Sequence, residues 1–229
     1  MIGVLSLYRT TIGRKVIMAI TGLIGVGYVF FHMYGNLKMF NGSTYINEYA
    51  EGLRALGAPI FGHEHLLWVA RIVLLIAVVL HVWAAWSLYQ DAERARSTKY
   101  VTHKKVQATF ASLYMRVGGV ILLVFIIFHL AHITWGIPGI HPDFISGDVY
   151  HNLIVGFSSY LYLPAIFYLI AMVALGFHLY HGVWSMFQTL GLNNRTYSQP
   201  LRMASLALAI IIAVGFALVP LAIMFGLVR

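Results

Sequence analysis

Five long apolar runs constrain this chain more than any other feature of its sequence. A helix needs about 20 apolar residues to cross the hydrocarbon core of a bilayer, and runs of that length cover about residues 15–38, 66–90, 114–136, 158–187 and 203–227. Charged residues make up only 10% of the sequence, whereas a soluble domain carries about a quarter. We therefore predict an all-α fold, with one integral transmembrane domain over residues 1–229 and five membrane-spanning helices, numbered I to V.

The basic residues are distributed unevenly between the two ends of these spans. Eleven lie on the side of the N-terminus: Arg9, Arg14, Lys15, Arg94, Arg96, Lys99, Lys104, Lys105, Arg116, Arg195 and Arg202. The other side has four: Lys38, Arg54, Arg71 and Arg229. Because Lys and Arg accumulate in cytoplasmic loops, this bias predicts a cytoplasmic N-terminus in a multi-pass protein of the cell inner membrane. The net charge of +8 is thereby explained by topology and lipid rather than by nucleic acid.

The connections on the outer side have different characters. Apolar residues three or four apart (Ile46, Tyr49, Leu53 and Leu56) predict a short amphipathic helix after span I. The segment from 135 to 156 is rich in Gly, Pro and Asp and is expected to be irregular. Pro164 and Pro220 fall inside spans IV and V, where either proline could kink the helix.

Histidines are concentrated inside four of the five predicted spans. They are His32 in span I, His81 in II, His129 and His132 in III, and His178 and His181 in IV. Ionisable residues at membrane depth are costly and usually functional. A single buried histidine could be a hydrogen-bonded core residue, but histidines on four helices indicate a common cause.

The depths of these histidines suggest that cause. At about 1.5 Å per residue, His81 and His178 lie roughly 15 Å from the cytoplasmic ends of their helices, and His32 and His129 roughly 20 to 25 Å. Both pairs, His32 with His129 and His81 with His178, are 97 residues apart. Two imidazoles at each of two levels are what bis-histidine haem ligation requires. With no cysteine in the sequence, thiolate ligands and an iron–sulfur cluster are excluded within it.

Depth alone does not choose between neighbouring histidines on one helix. His132 and His181 each lie one turn from a proposed ligand and remain alternatives, with a hydrogen-bonding role as the expectation for both. The remaining outer histidines, His63, His65, His141 and His151, are expected to be solvated. Small residues near the proposed ligands would leave room for a porphyrin or serve ordinary close packing: Gly25, Ala85, Gly118, Ala171 and Gly182.

The chain resembles one protein family over nearly its whole length, and three segments carry the resemblance. They are LYRTTIGRKVIMAITG at 7–22, FHMYGN at 31–36 and GDVYHN at 147–152, and they are similar to the membrane cytochrome b subunit of succinate dehydrogenase/fumarate reductase in its single-chain, five-helix, two-haem form. The resemblance implies an outer haem b on His32 and His129 and an inner haem b on His81 and His178. It thereby favours His129 and His178 over their neighbours.

The same resemblance implies partners and a role. A flavoprotein and an iron–sulfur subunit would dock on the cytoplasmic face, and succinate chemistry would lie on the partner. This chain would carry electrons to menaquinone or another quinone, as part of an enzyme of the tricarboxylic acid cycle. Some fumarate-reducing relatives have an acidic residue two positions before the fourth ligand, where this chain has Gly176. Proton transfer by that route is therefore not expected.

Charged residues at the span boundaries are candidates for two further roles. Haem propionates would pair with Arg14, Lys15, Arg116 or Arg71. A quinone near the outer haem would use Glu64, His65 and Arg71, whereas a rival inner site would use Arg116, Tyr89 and Trp86.

Three other functions compete with this interpretation. The first is a haem b subunit of another quinone-linked dehydrogenase or a hydrogenase, which the family motifs disfavour. The second is a quinol:fumarate reductase that works in the reverse direction. The third is a histidine-lined transporter, which would need carboxylates beside the histidines, but spans I, III, IV and V contain none.

Overall fold

The computed structural model describes residues 8–95 and 110–228, and within these ranges it is helical, without strands. The seven α-helices are α1 (Thr11–Leu37), α2 (Ser43–Arg54), α3 (His65–Arg94), α4 (Phe110–His129), α5 (Val149–Ser158), α6 (Leu163–Thr189) and α7 (Ser198–Met224). Two short 3₁₀ segments, Lys38–Asn41 and Tyr160–Tyr162, precede α2 and α6. A π-helical turn, Leu130–Thr134, continues α4.

Five helices are long and apolar enough to cross a membrane, which confirms the five predicted spans. They are α1, α3, α4 with its π turn, α6 and α7. The observed ends differ from the predicted ones by a few residues, for example at α1, where the Thr10 side chain accepts a hydrogen bond from the Gly13 N–H and so caps the helix start. The described ranges do not include Arg96, Lys99, Lys104 and Lys105 of the predicted basic loop, nor His103, which the sequence places in the same loop, nor Arg229.

Two short helices cover the face of the bundle opposite the N-terminus, which we call the distal face. The predicted amphipathic helix is confirmed as α2, and its Ile46 is buried in the core. The expectation of an irregular segment from 135 to 156 is wrong in its second half, because α5 begins at Val149. The Asp148 carboxylate starts this helix by accepting a hydrogen bond from the His151 N–H at 3.0 Å.

Hydrogen bonds explain why the segment Gly147–Asn152 adopts this structure. Asn47 on α2 donates to the Asp148 carboxylate at 3.0 Å and accepts from the Tyr150 N–H at 3.1 Å. Asn152 accepts from the Ile145 N–H and donates to the Ile145 carbonyl. The two asparagines therefore fasten α5 both to α2 and to the loop that precedes it.

Pro164 begins a helix instead of kinking one. It lies in the first turn of α6, where its missing N–H leaves no intrahelical hydrogen bond unmade. Pro164 lies inside span IV, as expected, but it does not kink a helix there, because Tyr160, Leu161 and Tyr162 adopt left-handed backbone angles, with φ of 49°, 56° and 62°, and α6 begins only after them. Pro220 lies inside α7, as expected.

The packing of the long helices leaves a gap on one side of the bundle. The main helix pairs are α6 with α7, α1 with α3 and α4 with α6, and α7 also packs against α1. Between α3 and α4 lies an open apolar groove of about 330 Å³, lined by Val78, Val79, Val82, Trp83, Trp86 and Leu123. Helix α6 thus packs against several of the other long helices, whereas α3 packs mainly against α1.

Candidate functional site

The structure brings the four predicted ligand residues together as two pairs. The ring centroids of His32 and His129 lie 5.8 Å apart, and those of His81 and His178 lie 6.2 Å apart. Metal–imidazole bonds are about 2 Å long, so two rings that bind one metal from opposite sides have centroids about 6 Å apart. Both separations therefore fit a pair of axial ligands.

The chemistry of the donor set favours haem over a bare metal ion. Nowhere in residues 8–95 and 110–228 do three or more His, Asp or Glu residues form a group that could hold a metal ion. Each pair supplies only two nitrogens. A porphyrin supplies the other four donors that a six-coordinate iron needs, so two opposed imidazoles are a suitable protein contribution.

Glycines leave space beside the imidazoles. A Cβ atom built on Gly25, which lies on the His32 face of α1, or on Gly182 of α6 would meet nothing within 4 Å. One built on Gly119 would lie 3.9 Å from the His178 ring. In contrast, Gly118 faces the Ala174 carbonyl at 3.9 Å, so it serves helix packing between α4 and α6.

A hydrogen bond with Thr21 orients the His81 ring. The Thr21 hydroxyl has one proton, which it donates to the Ile17 carbonyl at 2.7 Å. Its contact of 3.2 Å with His81 Nδ1 is therefore a bond that the imidazole donates. His81 consequently carries its proton on Nδ1 and presents the lone pair of Nε2, which is the arrangement of a metal ligand oriented by a neighbouring group.

His129 and His132 have different environments although they are one turn apart. His132 is fully buried and both of its ring nitrogens are occupied: Nδ1 by the Tyr168 hydroxyl at 3.2 Å and Nε2 by the Gly156 carbonyl at 3.2 Å. His129 contacts Tyr168 through Nδ1 alone, at 3.0 Å. Only His129 keeps a nitrogen for a ligand, and only His129 faces His32.

On α6 the choice between His178 and His181 also follows from position. His178 faces His81, and its buried Nδ1 has no hydrogen-bond partner among the described residues. His181 lies beside Trp184, with ring centroids 6.2 Å apart. The geometry thus separates the two histidines that depth counting left open.

The expectation that His141 is solvated is wrong. This residue is 2% exposed, its Nε2 donates to the Asn152 carbonyl at 2.9 Å, and its ring centroid lies 5.4 Å from that of His132. Nothing in the loop sequence around it signals burial, because the covering residues come from α5. His63 and His65 are exposed, as expected, and His151 is half-buried beside Asp143.

The propionate candidates near the N-terminal face differ in their partners. Arg14 forms an ion pair with Asp91 at 2.5 Å, so its charge is already compensated within the chain. Lys15 is exposed. The Arg116 guanidinium lies 4.5 Å from the centroid of the Tyr89 ring and 3.9 Å from the Glu93 carboxylate. The Trp86 ring lies 5.7 Å from the Tyr89 ring, centroid to centroid, so the residues of the rival quinone site meet beside the gap between α3 and α4.

At the distal face, Glu64 is the centre of a charged network. Its carboxylate lies 3.5 Å from both the Arg54 and Arg71 guanidinium groups, and its own backbone has a positive φ of 66°. Arg71 also lies over the Trp68 ring, 4.7 Å from its centroid. His65 accepts a hydrogen bond from the Gly62 N–H at 3.1 Å. Glu64, His65 and Arg71 are therefore neighbours, as the quinone-site hypothesis requires.

The sequence analysis did not connect Glu51 and His63 with this network. Glu51 accepts a hydrogen bond from His63 at 2.8 Å and lies 3.4 Å from Arg54. The hydrogen bond from His63, reinforced by the charges of His63 and Arg54, lowers the pKa of the Glu51 carboxyl. Five of the seven acidic residues in the sequence lie on this side of the spans. This excess was the available signal, but the sequence alone does not show which basic residue each acid meets.

The comparisons with known proteins add a family assignment. A family model described as the succinate dehydrogenase/fumarate reductase transmembrane subunit matches residues 90–226, more than half of the chain. The matched region extends from the end of α3 through α7 and contains His129 and His178, whereas His32 and His81 lie before it. No significant match was found among curated proteins or among solved structures.

Proposed function

Because the chain belongs to the family of succinate dehydrogenase/fumarate reductase transmembrane subunits, we propose that it is a dihaem cytochrome b which carries electrons between an iron–sulfur partner subunit and a membrane quinone. The observation that carries this proposal is the presence of two opposed histidine pairs, His32–His129 and His81–His178, whose ring separations would let each pair hold one haem iron. When bound, haem supplies reversible one-electron chemistry at its iron.

Residues of this chain would hold the two haems and shield them from water. Each histidine offers Nε2 or Nδ1 as a neutral donor, and Thr21 and Tyr168 orient two of the four rings through hydrogen bonds. Glycines beside the rings leave the space, and apolar helix faces exclude water from it. The gap between α3 and α4 supports the same proposal, since α3 carries His81 yet packs mainly against α1.

The distribution of charge supports an orientation for the complex. The excess of basic residues on the N-terminal side favours a cytoplasmic N-terminus. In this orientation the cytoplasmic iron–sulfur and flavoprotein subunits would dock at the N-terminal face, near the His81–His178 pair. Succinate chemistry would lie on the flavoprotein, so this chain acts as the electron-transfer subunit of the enzyme.

The quinone is proposed to bind at the distal face beside the His32–His129 pair. Glu64, His65 and Arg71 supply titratable groups at the membrane boundary, where quinone protons can exchange with water. The test is quinone reductase activity of the assembled complex with Glu64→Gln, His65→Ala or Arg71→Ala, after haem content has been measured. We expect reduced activity with both haems retained. Full activity in all three, with loss for Arg116→Ala, would move the quinone to the N-terminal face.

Ligand variants test the haem assignment itself, and the chain offers matched controls. His178→Ala is expected to remove one of two haems, whereas His181→Ala, one turn further along α6, leaves both. His129→Ala is expected to remove the other haem, and His132→Ala to leave ligation in place because both His132 nitrogens already have hydrogen-bond partners. Retention of two low-spin haems in His178→Ala or His129→Ala would contradict the proposal.

A further inference from the structure

A directed hydrogen-bond chain runs from α5 to the His129 ring. We propose that Tyr168 is a positioning residue which, together with His132 and the Gly156 carbonyl, fixes the tautomer of His129 and increases the electron donation of its Nε2. The proposal rests on the function proposed above, since it assigns a consequence for a group bound at His129.

The Gly156 carbonyl, at one end of the chain of hydrogen bonds, fixes the direction in which each bond is donated. A carbonyl oxygen only accepts hydrogen bonds, so the contact of 3.2 Å between the Gly156 oxygen and His132 Nε2 requires a proton on that nitrogen. His132 is fully buried. A charged imidazolium is costly in such surroundings, so the ring is neutral and its Nδ1 has a lone pair and no proton.

The remaining bonds follow in order. His132 Nδ1 accepts, so the hydroxyl of Tyr168 donates to it across 3.2 Å. That hydroxyl has a single proton, so its contact of 3.0 Å with His129 Nδ1 is one in which the oxygen accepts and His129 donates. His129 therefore carries its proton on Nδ1, and its Nε2 lone pair is left for a ligand.

The fold places these groups with little freedom. The π-helical turn at Leu130–Thr134 follows His129 directly and contains His132. Gly156 allows α5 to approach, because a Cβ atom there would lie 3.0 Å from His132 Nε2. The Tyr168 ring is 7% exposed and meets Phe125 and Phe157 edge to face at 4.8 Å. The aromatic rings thus keep water away from these hydrogen bonds, and the Tyr168 hydroxyl is held within reach of both His129 and His132.

The consequence is electronic. An imidazole that donates from Nδ1 is a stronger donor at Nε2, and a ligand of this kind favours the oxidised form of a metal. Donation from Tyr168 to His132 makes the tyrosine oxygen a better acceptor, so the bonds reinforce each other. The chain ends at a carbonyl, which holds no exchangeable proton, so its role is to orient and polarise His129 rather than to conduct protons.

The test is Tyr168→Phe in the full chain, with Tyr180→Phe as the control, because Tyr180 lies on the same helix and its hydroxyl makes no hydrogen bond among the described residues. In Tyr168→Phe we expect two haems and a raised midpoint potential for one of them. A tenfold change in the ratio of reduced to oxidised haem corresponds to about 59 mV for one electron, and we expect a shift up to this size. His132→Phe leaves the Tyr168 hydroxyl without its acceptor, so the direction of the bond between Tyr168 and His129 is no longer fixed, and a shift of the same sign is expected.

Unchanged potentials in Tyr168→Phe, or equal shifts of both, would overturn the proposal. A separate readout uses ¹⁵N-histidine NMR of the full chain without added haem. It is expected to show His129 with its proton on Nδ1, and to lose that preference in Tyr168→Phe. If the chain bound no haem, the proposed function would fail, whereas this tautomer measurement would still decide whether the hydrogen-bond chain exists. A proton on His129 Nε2 would refute it.

Discussion

The strongest prediction about the distal face concerns Asn47, which joins α2 to the start of α5. Asn47→Ala removes two hydrogen bonds that hold the first turn of α5, one donated to the Asp148 carboxylate and one accepted from the Tyr150 N–H. A bond to a charged group contributes about 1.5 kcal/mol and a neutral one about 1 kcal/mol. With a discount for the partial exposure of Asn47, the loss is about 2 kcal/mol, or about thirtyfold in the opening equilibrium of α5.

Amide hydrogen exchange of the purified chain in detergent measures this local opening. Exchange in residues 149–158 is expected to accelerate about thirtyfold in Asn47→Ala, while α6 keeps its protection. Thr44→Ala is the control, because Thr44 lies on the same helix, is exposed and makes no hydrogen bond among the described residues. Unchanged exchange in α5, or an equal acceleration in α6, would refute the view that Asn47 fastens α5 to α2.

Three further predictions follow from local geometry. Gly25→Leu is expected to fill the open space on the His32 face of α1 and to lower haem content without unfolding the chain, whereas Gly27→Leu, on another face of α1, should retain haem; equal haem content in both would contradict a haem on the His32 face. The hydrogen bond from the His151 N–H and, to a smaller extent, the one from the Asn47 side chain lower the pKa of the Asp148 carboxyl. The charged carboxylate therefore stabilises α5 fully above the ordinary pKa of 3.8, and this stabilisation is lost as the pH falls below that value. Hydrogen exchange of α5 between pH 7 and pH 3, corrected for intrinsic rates, checks this, and constant protection would contradict it. Gly156→Ala would place a methyl group 3.0 Å from His132 Nε2 and is expected to destabilise the protein by about 1–3 kcal/mol in detergent unfolding, whereas unchanged stability would show that α5 can move away.

The sequence was sufficient for the spans because a membrane imposes a simple rule. A helix that crosses apolar lipid must be apolar for about 20 residues, and each of the five runs meets that condition independently of its neighbours. The two levels of histidines were predictable for a related reason, since helices that run alternately up and down convert position along the chain into depth. The choice of His129 and His178 over their neighbours His132 and His181 came instead from the family resemblance.

The features that sequence did not reveal depend on contacts between distant segments. His129 and His132 are equivalent by spacing and differ only through Tyr168 and Gly156, which are 36 and 24 positions from His132. His141 has the composition of a surface loop around it and becomes buried only when α5 packs over it. Pro164 begins a helix because the preceding three residues turn left-handed, a conformation that tyrosine and leucine rarely adopt and that no local pattern indicates.

The ratio of haem to protein in the purified full chain tests the central claim most directly. A pyridine haemochrome assay combined with quantitative amino-acid analysis gives this ratio and the haem type together. Two b-type haems per chain are expected, because His32 faces His129 and His81 faces His178 at separate levels of the bundle. A ratio of one haem per chain, or the spectrum of a covalently attached c-type haem, would contradict the assignment of two bis-histidine sites.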